Sequence, residues 1–286
     1  MLGRWVTRIV DAQARWATPF GDFNHRWLTA LFGPIRPVKD FLNGTWLGHP
    51  VHAALTDLPI GVMTVAIILD IIGQRVAADV AVLVGVLSIV ATAVSGLADY
   101  TDVDGKARNR ATVHATVMTI ALIVFAISLL IRAGNPADRA VPIVLLVIGY
   151  LILTVGAEIG GDLVYLVGTN VNRHAWRGAG TKWVALDLGG LTDIPEGGPT
   201  KVKAGINTLI LVRTGETILA LHEQCAHAGG PLSEGTLVDG CIQCPWHGSR
   251  FRLTDGHVAR GPAMYDQPAY EIRRSDDGFE VRRAAR

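Results

Sequence analysis

Charge is scarce in this chain of 286 residues. Asp, Glu, Lys and Arg make up 18% of it, whereas soluble domains average about a quarter. The net charge is +1, which gives no reason to expect a nucleic-acid partner. Cysteine is scarcer still. Three thiols, an odd number, argue against a disulfide framework and favour a metal or catalytic role. The opening stretch MLGRWVTRIVDAQARW has neither the unbroken apolar core nor the small-residue cleavage site of a signal peptide. No internal repeat or low-complexity segment stands out.

What is abundant is hydrophobicity, which accounts for half the residues. Four apolar runs fall at about 51–72, 78–98, 112–132 and 141–163, each near the ~20 residues that cross a bilayer as a helix. A soluble helical bundle is the alternative, but VMTIALIVFAISLLI has no polar face at all. The short connections 73–77 and 133–140 predict an antiparallel four-helix bundle. Gly156 with Gly160, and Ala91 with Ser95, are small-residue pairs that allow close helix contact in lipid. Lys and Arg set the orientation. The segment before the first span, the middle connection (Lys106, Arg108, Arg110) and the segment after the fourth span (Arg173, Arg177, Lys182) are the basic side. Both termini are therefore expected in the cytoplasm, with the chain in the inner membrane. Residues 1–48 read as an amphipathic segment. Val6, Ile9, Val10, Gln13 and Trp16 lie on one side, and Arg4, Arg8, Asp11 and Arg15 largely on the other. Trp5, Trp16, Trp27 and Trp46 fit an interfacial belt on membrane lipid. A soluble amphipathic helix packed on its own domain is the other reading.

After about residue 182 the pattern changes to short β-type runs separated by GG, TG, DG and DDG turns, predicting a small antiparallel β domain. The fold class is thus α plus β: an N-terminal segment 1–48, a four-span domain 49–164, a linker 165–182 and an all-β domain 183–286. Within the last lie CAHAGGP at 225–231 and CPWHGSRF at 244–251. Each half offers one thiolate and one imidazole in a loop that Gly and Pro let fold tightly. Cys₂His₂ sets hold structural zinc, but zinc fingers pair like with like, whereas here each half mixes Cys with His.

That arrangement resembles the Rieske family over about residues 183–286. The resemblance implies a [2Fe–2S] cluster, with Cys225 and Cys244 on the inner iron and His227 and His247 on the outer, more exposed one. It also implies a covering proline loop at GPA, residues 261–263. Rieske proteins of cytochrome bc complexes carry a second cysteine in each loop, joined as a disulfide. Gly230 and Trp246 stand at those positions, as suits a protein facing the cytoplasm. The same proteins hydrogen-bond the cluster through a serine and a tyrosine. Ser249 matches the serine, while Phe251 stands for the tyrosine and cannot donate. Hydrogen bonds to sulfur favour the reduced cluster, so the expected potential is in the lower to middle part of the roughly −150 to +300 mV Rieske range. Cys241 reads as a buried small hydrophobe.

The first span opens on LGHPVHAALTDLPIG, residues 47–61. His52, Asp57, Asp99, His114, Glu158 and Asp162 are all expected at the cytoplasmic end of the bundle. Ionisable groups in spans are costly and functional by default. His52 and His114 are the candidates for a second redox site. They are placed either as axial ligands of a haem b or as hydrogen-bonding groups of a quinone site. Helix-end capping is the plain alternative. LGHPVHAALTDLPIG, SGLADYTDV and EIGGDLVYLVG resemble a bacterial four-span family of uncharacterised function, whose members are sometimes fused to Rieske domains. The expected function is one-electron transfer between the cluster, a protein donor or acceptor, and the membrane site: an electron carrier rather than a stand-alone enzyme. A Rieske-type oxygenase or ferredoxin component is one alternative, for which His49, His52 and Asp57 would have to make a mononuclear iron site. A redox sensor is the other.

Overall fold

The computed structural model describes residues 2–135, 137–175, 182–191, 193–276 and 278–284. Trp176, Arg177 and Gly178 of the expected linker lie outside the described residues. The chain forms two compact units: Met1–Asn43 with Pro50–Thr169, and Gly44–His49 with Asn170–Arg286.

The first unit is helical. Its described elements are α1 (Leu2–Ala12), α2 (Ala14–Phe32), α3 (Arg36–Asn43), α4 (Val51–Leu55), α5 (Asp57–Ile71), α6 (Arg75–Tyr100), α7 (Gly105–Gly134) and α8 (Ala140–Tyr165). Among the described residues four segments are long and apolar enough to cross a membrane: Val51–Ile71, Arg75–Tyr100, Gly105–Gly134 and Ala140–Tyr165. The first is broken at Thr56, where α4 gives way to α5. Pro59 is the third residue of α5, a position whose N–H has no intrahelical partner to lose. In the bundle α5 packs on α6 and α8, and α7 packs on α6 and α8. Met63, Val82, Ile89, Phe125, Leu146 and Leu153 fill the centre. Outside, Val65, Ile68, Leu83, Leu87, Ile123, Leu130, Leu151 and Val155 are exposed. So continuous an apolar exterior is what hydrocarbon covers.

Glycine governs the close approaches. A Cβ at Gly85 would sit 2.5 Å from Met63 Cε, and one at Gly149 2.7 Å from Phe125 Cε1. Gly156 meets Met118 and Gly160 meets His114. Ala91 is exposed rather than at a helix contact, while Ser95 is buried. The close contacts of α6 are made instead by Gly85, which meets Met63, and by Thr92 and Gly96, one turn apart, which meet His52.

The N-terminal helices belong to this same unit. The single apolar side expected for α1 divides: Val10 is buried with Ala17, Val113 and Ile159, while Trp5 and Ile9 face outward. In α2, Ala17, Gly21, Leu28 and Phe32 are buried. Trp16, Phe20, Phe23, Trp27 and Leu31 form the opposite, exposed stripe. An outward aromatic face of this kind suits the headgroup layer. Polar anchors hold the inner faces. Arg110 bridges Asp11 (2.6 Å) and Asp162 (3.0 Å), and Lys39 pairs with Asp102 (2.6 Å). Asn43 donates to Asp99 (2.7 Å). Farther along the bundle a second ion network joins Arg132 to Asp70 (2.5 Å) and Asp79 (2.8 Å), and Arg139 to Asp79 (2.6 Å).

The second unit is a β structure. Its strands are β1 (Val184–Asp187), β2 (Gly197–Ala204), β3 (Asn207–Thr214), β4 (Thr217–His222), β5 (Thr236–Val238), β6 (Cys241–Gln243), β7 (Arg250–Arg252), β8 (Val258–Arg260), β9 (Ala269–Ser275) and β10 (Gly278–Arg283). A closed barrel runs β1-β10-β9-β4-β3-β2, and a four-stranded sheet runs β5-β6-β7-β8. Neighbours in both are antiparallel. Leu209, Leu211, Ala220 and Val281 fill the barrel, following the period-two alternation of half-buried strands. In β2, Val202 and Ala204 are buried between exposed lysines, so the alternation is present but brief.

Candidate metal centre

Two loops of the second unit carry the Cys/His pairs, one after β4 and one after β6. They have the same backbone plan. Cys225 N–H donates to Gly230 O (2.8 Å), and Gly229 N–H donates to Cys225 O (2.9 Å). Cys244 N–H donates to Ser249 O (2.8 Å), and Gly248 N–H donates to Cys244 O (3.1 Å). Gly229 and Gly248 both take positive φ, +86° and +77°, which glycine adopts at no steric cost. In each loop two main-chain N–H groups point at the cysteine sulfur: His227 and Ala228 at Cys225, Trp246 and His247 at Cys244.

The sequence-predicted set is brought together. The thiols of Cys225 and Cys244 are hydrogen-bonded to each other, and this contact, then burial, pushes the Cys225 thiol well above its usual value. The same contact lowers Cys244 to about 6, helped by the two N–H groups. The imidazoles of His227 and His247 lie with ring centroids 5.0 Å apart and planes at 86°. The result is a thiol pair and an imidazole pair. Among the described residues no three His, Cys, Asp or Glu side chains gather around one point as a single ion would need. This argues against a tetrahedral zinc site at these four side chains. A two-plus-two donor set suits a binuclear cluster, whose two irons take unlike ligands.

The surroundings fit the same group. A Cβ at Gly230 would stand 3.0 Å from Cys244 Sγ and 2.9 Å from Trp246 Cδ2, so Trp246 packs over Gly230. Cys225, Cys241 and Cys244 are all free thiols. Cys241 lies buried in β6, and burial raises its thiol. Ser249 is fully buried and its Oγ accepts the Ala263 N–H (3.0 Å) from the proline loop, leaving its own O–H to donate. Phe251 is buried beside both cysteines. His227 is 7% exposed, against the expectation of an exposed pair. The open edge consists of half-buried His247 and of Trp246, 57% exposed.

Several supporting residues carried no sequence signal. Gln267 is buried and accepts the Ala226 N–H at Oε1 (2.8 Å), while its Nε2 donates to His222 O (2.6 Å) and Gln224 O (2.7 Å). His174 Nε2 bonds Gln224 O (2.8 Å), and its ring lies 4.5 Å from that of His222. Arg173 N–H donates to Ala226 O (3.3 Å). Thr45 Oγ1 donates to Ala263 O (3.4 Å). Residues remote in sequence thus fasten the first loop and the proline loop, and no local pattern announces them.

In the helical unit His52 and His114 are neighbours, with ring centroids 6.3 Å apart and planes at 82°. The carboxylates expected around them are occupied elsewhere or turned outward. Asp99 and Asp162 hold Asn43 and Arg110, and Asp57 and Glu158 are exposed.

Comparison with known proteins bears on both units. The Rieske [2Fe-2S] domain family matches residues 183–271, and the family described as predicted membrane protein (DUF2231) matches residues 48–173. The chain is 32% identical over 94 residues to the anthranilate 1,2-dioxygenase ferredoxin subunit of Burkholderia cepacia, covering 33% of this chain and 87% of that protein. It is 28% identical over 90 residues to apoptosis-inducing factor 3 of Mus musculus, covering 32% of this chain but only 15% of that protein. Among solved structures, the ferredoxin of carbazole 1,9a-dioxygenase from Nocardioides aromaticivorans is 26% identical, with 37% of this chain and 97% of that chain covered and a TM-score of 0.30. The chain belongs to the Rieske [2Fe-2S] family through residues 183–271, and its residues 48–173 match the family described as predicted membrane protein (DUF2231).

Proposed function

We propose that this protein is a membrane-bound one-electron carrier whose second unit takes a [2Fe–2S] cluster on Cys225, His227, Cys244 and His247. The observation that carries the reading is the pair of matched loops, each presenting one thiol braced by two N–H groups and one imidazole. When bound, such a cluster accepts and releases a single electron. The residues around it decide how readily. N–H groups directed at sulfur offset negative charge and so favour the reduced state. The Ser249 hydroxyl adds a further donor, while Phe251 withholds one. Trp246 and His247 form the edge at which a redox partner docks, because they are the accessible side of the ligand set. That partner is a protein. The ferredoxin subunit of the Burkholderia relative belongs by its name to a dioxygenase, which makes an oxygenase one candidate recipient.

The membrane unit supplies the tether and, at His52 and His114, a second redox site for haem or quinone. The excess of Lys and Arg before the first span, in the middle connection and after the fourth span supports a cluster unit in the cytoplasm. The test is EPR of the dithionite-reduced, detergent-solubilised protein. A Rieske-type signal is expected, and it should vanish in both His227→Ala and His247→Ala. Persistence of the signal in either variant would overturn the ligand assignment.

A further inference from the structure

The bundle is built twice. His52 Nδ1 meets Thr92 O at 2.9 Å, and His114 Nδ1 meets Gly156 O at 2.9 Å. One turn on from each carbonyl stands a glycine. A Cβ at Gly96 would lie 2.8 Å from His52 Cε1, and one at Gly160 3.1 Å from His114 Cε1. Deeper in, Met63 packs on Gly85 as Phe125 packs on Gly149. A single offset relates His52, Met63, Ala66 and Asp70 to His114, Phe125, Ser128 and Arg132. A second offset relates Val82, Gly85, Ile89, Thr92 and Gly96 to Leu146, Gly149, Leu153, Gly156 and Gly160. The hairpins Val51–Tyr100 and Gly105–Tyr165 are therefore copies facing each other across a pseudo-twofold axis. The two imidazoles meet on that axis.

We propose that His52 and His114 are the two axial ligands of one haem held across this axis. The proposal deepens the second-redox-site half of the carrier reading and rests on it there. The first argument is the tautomer. A carbonyl oxygen only accepts, so each Nδ1 carries the proton and each Nε2 keeps its lone pair. Ligating histidines almost always donate their other N–H to a carbonyl or carboxylate in this way. The second is spacing. A metal–imidazole bond of about 2.0–2.1 Å, with the ring centroid about 1.1 Å behind the nitrogen, puts two trans imidazoles about 6.3 Å apart. The observed separation is 6.3 Å.

The third argument is the donor count. A bare zinc or copper ion asks for about four protein or water donors, and no third His, Cys, Asp or Glu joins the pair among the described residues. A porphyrin brings four nitrogens of its own and leaves two axial positions. A quinone carbonyl needs a donor, and each Nε2 offers a lone pair instead. Gly96 and Gly160 belong to the site because larger residues would displace the imidazoles.

The test uses the full chain, produced with haem precursor supplied and purified in detergent. Haem is read as pyridine haemochrome and cluster by EPR, in the same sample. One haem b per chain is expected. Its ferric EPR signal should be the highly anisotropic low-spin type that near-perpendicular axial imidazoles give, because the planes here meet at 82°. His52→Ala and His114→Ala should each lose the haem bands while the cluster signal persists. His114→Met, which replaces one axial ligand by another, should recover low-spin haem with an altered spectrum, and it decides the matter if the alanine variants also lose the cluster. A haem-free protein with an intact cluster overturns the proposal and leaves the cluster reading standing. Haem retained in both alanine variants, or absent from His114→Met, overturns it as well.

Discussion

Ser249 and Phe251 stand two residues apart, and under the proposed cluster ligation they act in opposite directions on the sulfur environment. Ser249 Oγ accepts the Ala263 N–H, which leaves its own O–H to donate. Removing it in Ser249→Ala withdraws one hydrogen bond, worth about 1 kcal/mol. For a one-electron couple that is a fall in midpoint potential of about 40 mV. Phe251→Tyr supplies the donor the chain lacks and should raise the midpoint by a similar amount. Redox titration followed by EPR checks both, and shifts of the same sign would break the argument. The two Cys/His loops were legible because Cys-x-His and Cys-x-x-His between Gly and Pro form a compact local pattern. Gln267 and His174 were not legible. Their roles come from contacts to Ala226, Gln224 and His222, made across the fold. Nothing in YDQPAY or NRHAW marks them.

α3 and the connection after α6 are locked by Lys39 and Asp102, both almost fully buried. Burial pushes the Lys39 amine below its usual value, and Asp102 pulls it only part of the way back. The unfolded chain therefore holds more protons between the folded value and the ordinary lysine value, so stability rises with pH across that window and is flat below it. Lys39→Met should abolish this slope and, by leaving Asp102 buried without its cation, cost about 3–5 kcal/mol. Adding Asp102→Leu should recover most of the loss. Unfolding in detergent across pH measures both, and an unchanged slope in Lys39→Met would refute the assignment. The four spans were legible because length and hydropathy suffice to reveal them. The duplication was not. Between the copies Met63 answers to Phe125, Thr92 to Gly156 and Asp70 to Arg132, so steric role is preserved while residue identity is lost. The identities that persist among these pairs are the histidine and the glycines Gly85 with Gly149 and Gly96 with Gly160.

A duplicated hairpin returns the chain twice to the side from which it started. His52, His114 and the segments flanking the bundle therefore share one side of the membrane, and the connections 72–74 and 135–139 share the other. Charge decides which side is which. Arg4, Arg8, Arg15, Arg26, Arg36 and Lys39 precede the bundle, and Lys106, Arg108 and Arg110 lie in its middle connection. On the far side Arg132 and Arg139 are tied to Asp70 and Asp79. Orientation follows the count of Lys and Arg in short flanks rather than net charge, so the count still favours the N-terminal side as cytoplasmic. A green fluorescent protein fused after the last strand should fluoresce, and alkaline phosphatase at the same point should be inactive. Phosphatase inserted after Gly73 should be active. The reverse pattern would put the cluster edge and both histidines on the outer side. The electron partner would then have to be sought there, and the missing disulfide would lose its explanation.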